Sequence, residues 1–170
     1  MTPHPGPDQG AHPTPGSDAW APFRPKRGRA VAIGVVWSSL VVFGVIAVVM
    51  SSQGEGRWGL ADGLMFFSLG VAVALIAWRY ASIVAVPSRA GLVVRNLVLT
   101  RTLEWPEIVG IQFGGGEPWV TLDLEDGDSV AVMAIQKADG PVAGREASRL
   151  AALIQAFGEA PEPEHPLGPA

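Results

Sequence analysis

Residues 30–50 read AVAIGVVWSSLVVFGVIAVVM, and residues 60–78 read LADGLMFFSLGVAVALIAW. Apart from Asp62, neither stretch contains a charged residue. Each has about 20 residues, and a helix of that length, rising about 1.5 Å per residue, matches a hydrocarbon core of about 30 Å. The two stretches therefore predict a hairpin of two transmembrane helices within residues 30–80, joined by a turn at 51–59.

A cleaved signal peptide is the alternative interpretation of residues 30–50. The apolar run is longer than the usual 7 to 15 residues or so, and the sequence that follows it, Met50-Ser51-Ser52-Gln53, is not a small-x-small cleavage site. We therefore favour a retained helix. Asp62 lies about one turn from the start of the second stretch, where a carboxylate is expected to cap the helix.

Basic residues flank the two stretches on one side of the predicted hairpin. Four precede the first stretch and three follow the second, whereas the turn carries one Arg57 against one Glu55. Basic residues close to membrane helices are retained on the cytoplasmic side. We therefore expect both termini to be cytoplasmic and the turn at 51–59 to be outside. The flanking basic residues are Arg24, Lys26, Arg27 and Arg29, then Arg79, Arg89 and Arg95.

Both ends of the chain are rich in proline. Residues 1–25 contain seven prolines and few large apolar residues, so they bury too little surface to offset the entropy of ordering. We predict a disordered N-terminal tail at 1–29 and a second disordered tail at 159–170. The histidines of the chain lie in these tails: His4, His12 and His165.

Short alternating segments separated by turn signals occupy residues 81–158. Six strands are predicted, at 81–86, 91–95, 97–103, 108–113, 119–124 and 129–134. A helix with apolar residues at spacings of three and four follows them, with start signals at Asp139 and Pro141 and a stop at Gly158. This order predicts a small, mostly-β domain of about six antiparallel strands and a C-terminal amphipathic helix, which is the pleckstrin-homology (PH) architecture.

Several motifs in this domain resemble one known family. They are Gly91-Leu92-Val93-Val94-Arg95-Asn96, Arg101, Trp105-Pro106-Glu107-Ile108, Leu122-Asp123-Leu124-x-x-Gly127, and Asp139 before a helix that holds Leu150. Over about residues 82–153 the chain resembles the actinobacterial PH-like family often named low molecular weight protein antigen 6 PH domain. The resemblance implies a small domain tethered to one or two membrane helices. Many members of that family carry more arginine between the second and third strands than this chain carries at residues 96–102.

Cysteine and histidine, two residue types that often carry catalysis, are absent from the predicted domain. The chain has no cysteine, and its histidines lie in the tails, so we predict no catalytic, cofactor-binding or metal site and no enzymatic activity. The glycines at 114–116 are interpreted as a hairpin turn rather than a phosphate loop, and residues 125–128 as a solvated turn rather than a calcium loop. Trp105 and Trp119 are predicted to pack in the core rather than to line a groove.

Charge separates the binding hypotheses. Residues 81–170 carry twelve acidic and six basic side chains, a net charge of −6, which disfavours nucleic acid as a partner. We expect a membrane-anchored, non-enzymatic protein-interaction or scaffolding module at the cytoplasmic membrane face. Its partners would be the bilayer, through two helices, and an unknown protein or a second copy. The alternative is a lipid-headgroup or cell-envelope sensor, with Arg89, Arg95 and Arg101 as candidate lipid or partner contacts.

Overall fold

A computed structural model of the chain describes residues 17–52 and 59–158. Two long helices come first, α1 (Lys26–Ser52) and α2 (Leu60–Ala81). They are followed by β1 (Val84–Ser88), β2 (Gly91–Arg95), β3 (Thr100–Leu103), β4 (Ile108–Gln112), β5 (Trp119–Leu124), β6 (Ser129–Gln136) and α3 (Pro141–Phe157). The predicted fold class is confirmed: two long apolar helices precede six antiparallel strands and a C-terminal helix.

Helices α1 and α2, together called the helical hairpin below, pack against each other in antiparallel directions. Glycines of α2 face α1 closely: a Cβ added to Gly63 would lie 3.0 Å from the carbonyl oxygen of Ala47, and one added to Gly70 would lie 2.5 Å from the Cβ of Phe43. Both helices are long and apolar enough to cross a membrane. Most of their large apolar side chains are exposed, as expected of surfaces that another apolar phase covers.

Asp62 stabilises the start of α2, although it does not occupy the N-cap. The N-cap residue is Gly59, and the backbone N–H of Gly59 donates to Asp62 Oδ2 at 2.8 Å. Because Asp62 lies in the first helical turn, its negative charge also interacts favourably with the helix dipole. Most of the predicted turn at 51–59 lies outside the described residues.

The strands form two three-stranded antiparallel sheets, ordered β1-β2-β3 and β4-β5-β6. Strand β1 begins three residues later than predicted because α2 continues to Ala81, and it runs through Pro87 to Ser88, beyond the predicted end at residue 86. Proline has no N–H to donate to a sheet ladder, but β1 is an edge strand that pairs along its length only with β2 among the described strands. An edge position tolerates proline for this reason.

The core lies between the two sheets and α3. Trp105 is 2% exposed, and its indole Nε1 donates to the carbonyl oxygen of Ser88 at 2.9 Å, which confirms its predicted core position. Trp119 is only partly buried. The apolar stripe of α3 packs on the sheets through Ala143, Ala147, Leu150 and Leu153.

Residues 17–25 belong to the folded domain, which corrects the prediction of a disordered tail that extends to residue 29. Ser17–Trp20 forms a 3-10 turn, and Phe23 is 1% exposed. Phe23 exchanges two backbone hydrogen bonds with Ala85 of β1, with N···O distances of 2.8 and 3.1 Å. Composition misses this because a proline-rich segment can gain its order from a neighbouring strand rather than from its own apolar residues. Residues 26–29 of the predicted tail form the start of α1, and residues 1–16 and 159–170 lie outside the described part of the chain.

Candidate functional site

Helix α1 begins against the sheet domain, and a carboxylate of that domain satisfies its first amides. Asp139 is 7% exposed; its Oδ2 accepts from the N–H of Lys26 at 3.0 Å and its Oδ1 from the N–H of Arg27 at 2.8 Å. The preceding residue, Pro25, has no side-chain acceptor and cannot cap the helix itself. Asp139 does precede α3 as predicted, but its carboxylate caps α1, while Gly140 is the N-cap residue of α3.

A second connection holds the N-terminal segment on α3 through Arg149. Its Nη1 donates to three backbone carbonyl oxygens, of Asp18 at 3.1 Å, Ala19 at 2.9 Å and Ala21 at 2.8 Å. The guanidinium carbon lies 3.8 Å from the centre of the Phe23 ring. Glu146 accepts from Arg149 Nε at 3.1 Å and so orients the guanidinium. A planar group with five donors suits this combination of carbonyl and ring contacts.

A third connection joins both helices to β6. Tyr80, near the end of α2, has its hydroxyl 3.1 Å from Oε1 and 3.0 Å from Nε2 of Gln136. Gly28 of α1 faces the same pair, because a Cβ there would lie 3.0 Å from the Tyr80 hydroxyl and 3.3 Å from Gln136 Oε1. The first and third connections join the sheet domain to the helical hairpin, and the second fixes the segment that leads into α1.

The three arginines predicted as candidate contacts do not form one site. Arg89 lies in the turn between β1 and β2, and Arg95 lies at the opposite end of β2. Arg101 is the register partner of the buried Val94, so Arg95 and Arg101 project from opposite faces of the sheet. Arg101 is also 3.8 Å from Asp128, with both side chains more than half exposed.

The outer edge of β3 opens onto an acidic cleft. Within the described residues β3 pairs only with β2, so its other edge is unpaired. The cleft beside it has a volume of about 350 Å³, and three acidic side chains line it against one arginine. Its lining comprises Arg101, Thr102, Leu103, Glu107, Leu124, Glu125 and Asp126. An unpaired strand edge beside negative charge can accept an added strand that carries basic side chains.

A second cleft, called the arginine cleft below, lies between the first sheet and the helical hairpin. It has a volume of about 330 Å³, and Arg24, Arg29 and Arg95 line it without any carboxylate among the described residues. The described residues offer no ion pair or hydrogen bond to these three guanidinium groups. The other walls are Ile33, Trp78, Ala81, Ser82, Val84 and Val86. In the sequence, Arg24 and Arg29 indicate only the orientation of the helices, because nothing local indicates that they meet Arg95.

The loop between β2 and β3, residues 96–99, has a fixed shape. The Asn96 side chain donates from Nδ2 to the carbonyl oxygen of Ala131 at 2.7 Å and accepts at Oδ1 from the N–H of Met133 at 3.2 Å. The Asn96 N–H donates to the Leu99 carbonyl oxygen at 2.9 Å. The loop exposes two large apolar side chains, Val98 at 77% and Leu99 at 66%.

The other motifs considered as ligand sites form turns. The glycines at 114–116 join strand β4 to strand β5, and Lys137 Nζ donates to the carbonyl oxygen of Gly114. In the β5–β6 turn the Asp128 N–H donates to Asp126 Oδ1 at 2.9 Å. In the two described stretches of the chain, no group of three or more His, Cys, Asp or Glu side chains is placed to hold a metal ion.

Comparison with known proteins identifies the sheet domain. Residues 85–152 match the family described as "Bacterial PH domain". Uncharacterised proteins of Mycobacterium tuberculosis (strain ATCC 25618 / H37Rv) and Mycobacterium bovis (strain ATCC BAA-935 / AF2122/97) are each 38% identical over 79 residues, which is 46% of this chain and 51% of the relative. The chain thus covers about half the length of these curated relatives. No solved structure shows a significant match. These matches support an actinobacterial PH-like family for the sheet domain, as its motifs predicted.

Proposed function

We propose that this chain is a membrane-anchored, non-enzymatic interaction module that presents its PH-like domain at the cytoplasmic membrane face. Two helices long and apolar enough to span a bilayer support the anchor. The basic residues at the domain-side ends of these helices support the cytoplasmic orientation. The observation that carries the proposal is the unpaired edge of β3 beside the acidic cleft.

The connections between the domain and the helical hairpin support a scaffolding role. Asp139 caps α1, Gln136 meets Tyr80 of α2, and Arg149 holds the segment that leads into α1. Because Asp139 contacts α1 and Gln136 contacts α2, these contacts oppose rotation of the domain relative to the helices. A partner bound to the domain would therefore be held at a set position relative to the membrane.

An extended protein segment that contains lysine or arginine fits the acidic cleft. Its backbone would pair with the free edge of β3, and its basic side chains would meet Glu107, Glu125 and Asp126. The exposed pair between Arg101 and Asp128 contributes little stability. An incoming cation can therefore displace Arg101 at small cost.

Photo-crosslinking of the full-length chain in cells tests this function. A photoreactive amino acid at Thr102, in the cleft, should give a discrete adduct. The double variant Glu125→Lys, Asp126→Lys should lose that adduct, because it turns two of the three acidic side chains basic. The control is Glu117→Lys, which reverses the charge of one exposed glutamate outside the cleft and should keep the adduct.

The same experiment includes a positional control on α3. Ser148 is exposed and lies away from the cleft lining, so the photoreactive residue placed there should give little or no adduct. Equal adducts from Thr102 and Ser148, or a Thr102 adduct that survives the double charge reversal, would overturn the proposal. The mass of the adduct distinguishes a second copy of the chain from another protein.

A lipid-headgroup sensor is the alternative function. The arginine cleft favours it, but this cleft is not the site that Arg89, Arg95 and Arg101 were predicted to form. Of the three predicted contacts only Arg95 lines that cleft, together with Arg24 and Arg29. Native mass spectrometry of the full chain released from mixed nanodiscs should show preferential retention of an anionic phospholipid. Replacing the three cleft arginines with glutamine should remove the preference, and replacing Arg145 of α3 should not.

A further inference from the structure

We propose that the β2–β3 loop inserts into the same membrane as α1 and α2, with Val98 and Leu99 in the acyl-chain region and the domain lying on the bilayer surface. The loop would be a third membrane contact of the chain, formed by the sheet domain itself. This inference rests on the membrane anchoring within the proposed function and not on the β3 edge.

The groove that Leu97 shares with both helices carries the inference. Leu97 lines an apolar groove of about 560 Å³ together with residues of both helices, among them Val31, Val35, Val73 and Ile76. Val35 lies nine residues after the start of α1, and Val73 lies eight residues before the end of α2. At about 1.5 Å per residue, the groove therefore extends about 12 to 14 Å along the helices. The loop thus borders a groove that continues to the turns that would enter the hydrocarbon.

The exposed side chains of the loop directly follow Leu97, which lines the groove on the helical hairpin. Val98 and Leu99 are 77% and 66% exposed, and Val31 and Ile76 in the neighbouring groove are each 67% exposed. The hydrogen bonds of Asn96 to β6 hold the loop in this shape, so the exposure does not come from a loose segment. A continuous apolar patch of this kind marks a surface that something apolar covers. Its continuity with two candidate membrane helices selects the bilayer as the occupant.

Charge beside the loop agrees with lipid as the occupant. Arg95 immediately precedes the loop and shares the arginine cleft with Arg24, Arg29 and Trp78. Arginine and tryptophan are the side chains expected at the headgroup level, next to an apolar segment at greater depth. The acidic cleft includes Arg101, which projects from the opposite face of the sheet to Arg95. Arg101 of the acidic cleft therefore does not share the sheet face of Arg95, which is the face proposed to meet phosphates.

Fluorescence quenching in nanodiscs tests the insertion. The chain has no cysteine, so a single cysteine at Val98 can carry an environment-sensitive fluorophore in the otherwise intact, full-length protein. Brominated acyl chains should quench this probe to at least half the extent seen for a probe at Val41, an exposed position in the middle of α1. A probe at Asp126, in the exposed β5–β6 turn, should show little quenching.

Each outcome of this experiment decides the proposal. Quenching at Val98 that is no greater than at Asp126, while Val41 is strongly quenched, would overturn loop insertion and leave the anchoring intact. Absence of quenching at Val41 would refute the anchoring itself, and loop insertion with it. If the probe at Val98 is shielded from water in nanodiscs that hold several chains but not in nanodiscs that hold one chain each, the occupant is a second copy and the proposal is overturned.

A matched pair of aspartate substitutions checks that the loop residues drive the insertion. In the Val98-labelled chain, Leu99→Asp should lower quenching at least twofold, because a carboxylate opposes entry into hydrocarbon. Val109→Asp places the same side chain at a 64% exposed valine of β4, where quenching at Val98 should not change. Equal effects of the two substitutions would contradict the assignment of Val98 and Leu99 as the inserted residues.

Discussion

Replacing Asp139 with alanine should release the start of α1 from the sheet domain. The carboxylate accepts from the N–H groups of Lys26 and Arg27, the first two amides of the helix, at 3.0 and 2.8 Å. Alanine leaves both donors without this acceptor, and Pro25 has no side chain that can replace it. The sheet domain and α1 would then lose their most direct polar connection.

The expected magnitude follows from the two hydrogen bonds. Loss of an N-cap acceptor costs about 0.5 to 2 kcal/mol, and a hydrogen bond to a charged group contributes about 1.5 to 3 kcal/mol. Because water can reach the freed amides at the exposed positions Lys26 and Arg27, we expect about 2 kcal/mol, equivalent to a rise of about 30-fold in local opening. Asp139→Asn keeps one acceptor and should cost about 1 kcal/mol, a rise of about fivefold.

Hydrogen exchange of the full chain in nanodiscs measures this opening at the amides of Lys26 and Arg27. The control is Asp126→Ala, because that carboxylate accepts an N–H within its own turn, from Asp128 at 2.9 Å. A change below twofold at both amides in Asp139→Ala would refute the capping role. An equal acceleration in Asp126→Ala would show that the effect is not specific to the contact with α1.

Three further predictions concern the stability of the domain. Arg149→Lys replaces a planar group with a point charge, so chymotrypsin cleavage after Phe23 should rise about tenfold, whereas an unchanged rate would argue against the contact with the N-terminal segment. In thermal denaturation, Gly91→Ala should lower the free energy of unfolding by more than about 3 kcal/mol, because φ there is 153° and a Cβ would overlap a backbone carbonyl of β3. The control is Gly114→Ala, where φ is 145° and the Cβ would meet open space. This variant should lower the free energy of unfolding by only about 1 to 2 kcal/mol. Trp105→Phe should cost about 2 kcal/mol, because it removes the indole bond to β1 and leaves a cavity, and a melting temperature equal to wild type would contradict that estimate.

Local patterns predicted the order of elements because alternation and turn residues act between near neighbours. Strand β5 is the clearest example: Val120, Leu122 and Leu124 alternate with partly buried polar positions, and the structure gives the predicted bounds Trp119–Leu124. The apolar residues of α3, at spacings of three and four, are also a signal between near neighbours, and they predicted this helix. The length of the two apolar stretches predicted α1 and α2 in the same way. These signals need no knowledge of what packs against each element.

The junction between the domain and the helical hairpin could not be predicted in the same way. Asp139 and Lys26 are separated by 113 positions in the chain, and a capping carboxylate has no recognisable motif when it comes from another element. Arg149 reads as an ordinary surface cation of α3 until residues 17–25 are placed beside it. The arginine cleft likewise exists only after α1 is laid against the first sheet, which brings Arg29 to Arg95.

The bridge between Phe23 and Ala85 has a consequence for the order in which the protein assembles. About 60 residues separate the two positions, so Phe23 is synthesised well before the strand that buries it. The domain is therefore discontinuous in the chain, with the helices as an insertion, and its core closes only after both helices have been made and placed. A fragment that begins after α2 would lack the ring that completes this core. A water-soluble form of the domain would need residues 17–25 joined to β1 by a short linker in place of the helices.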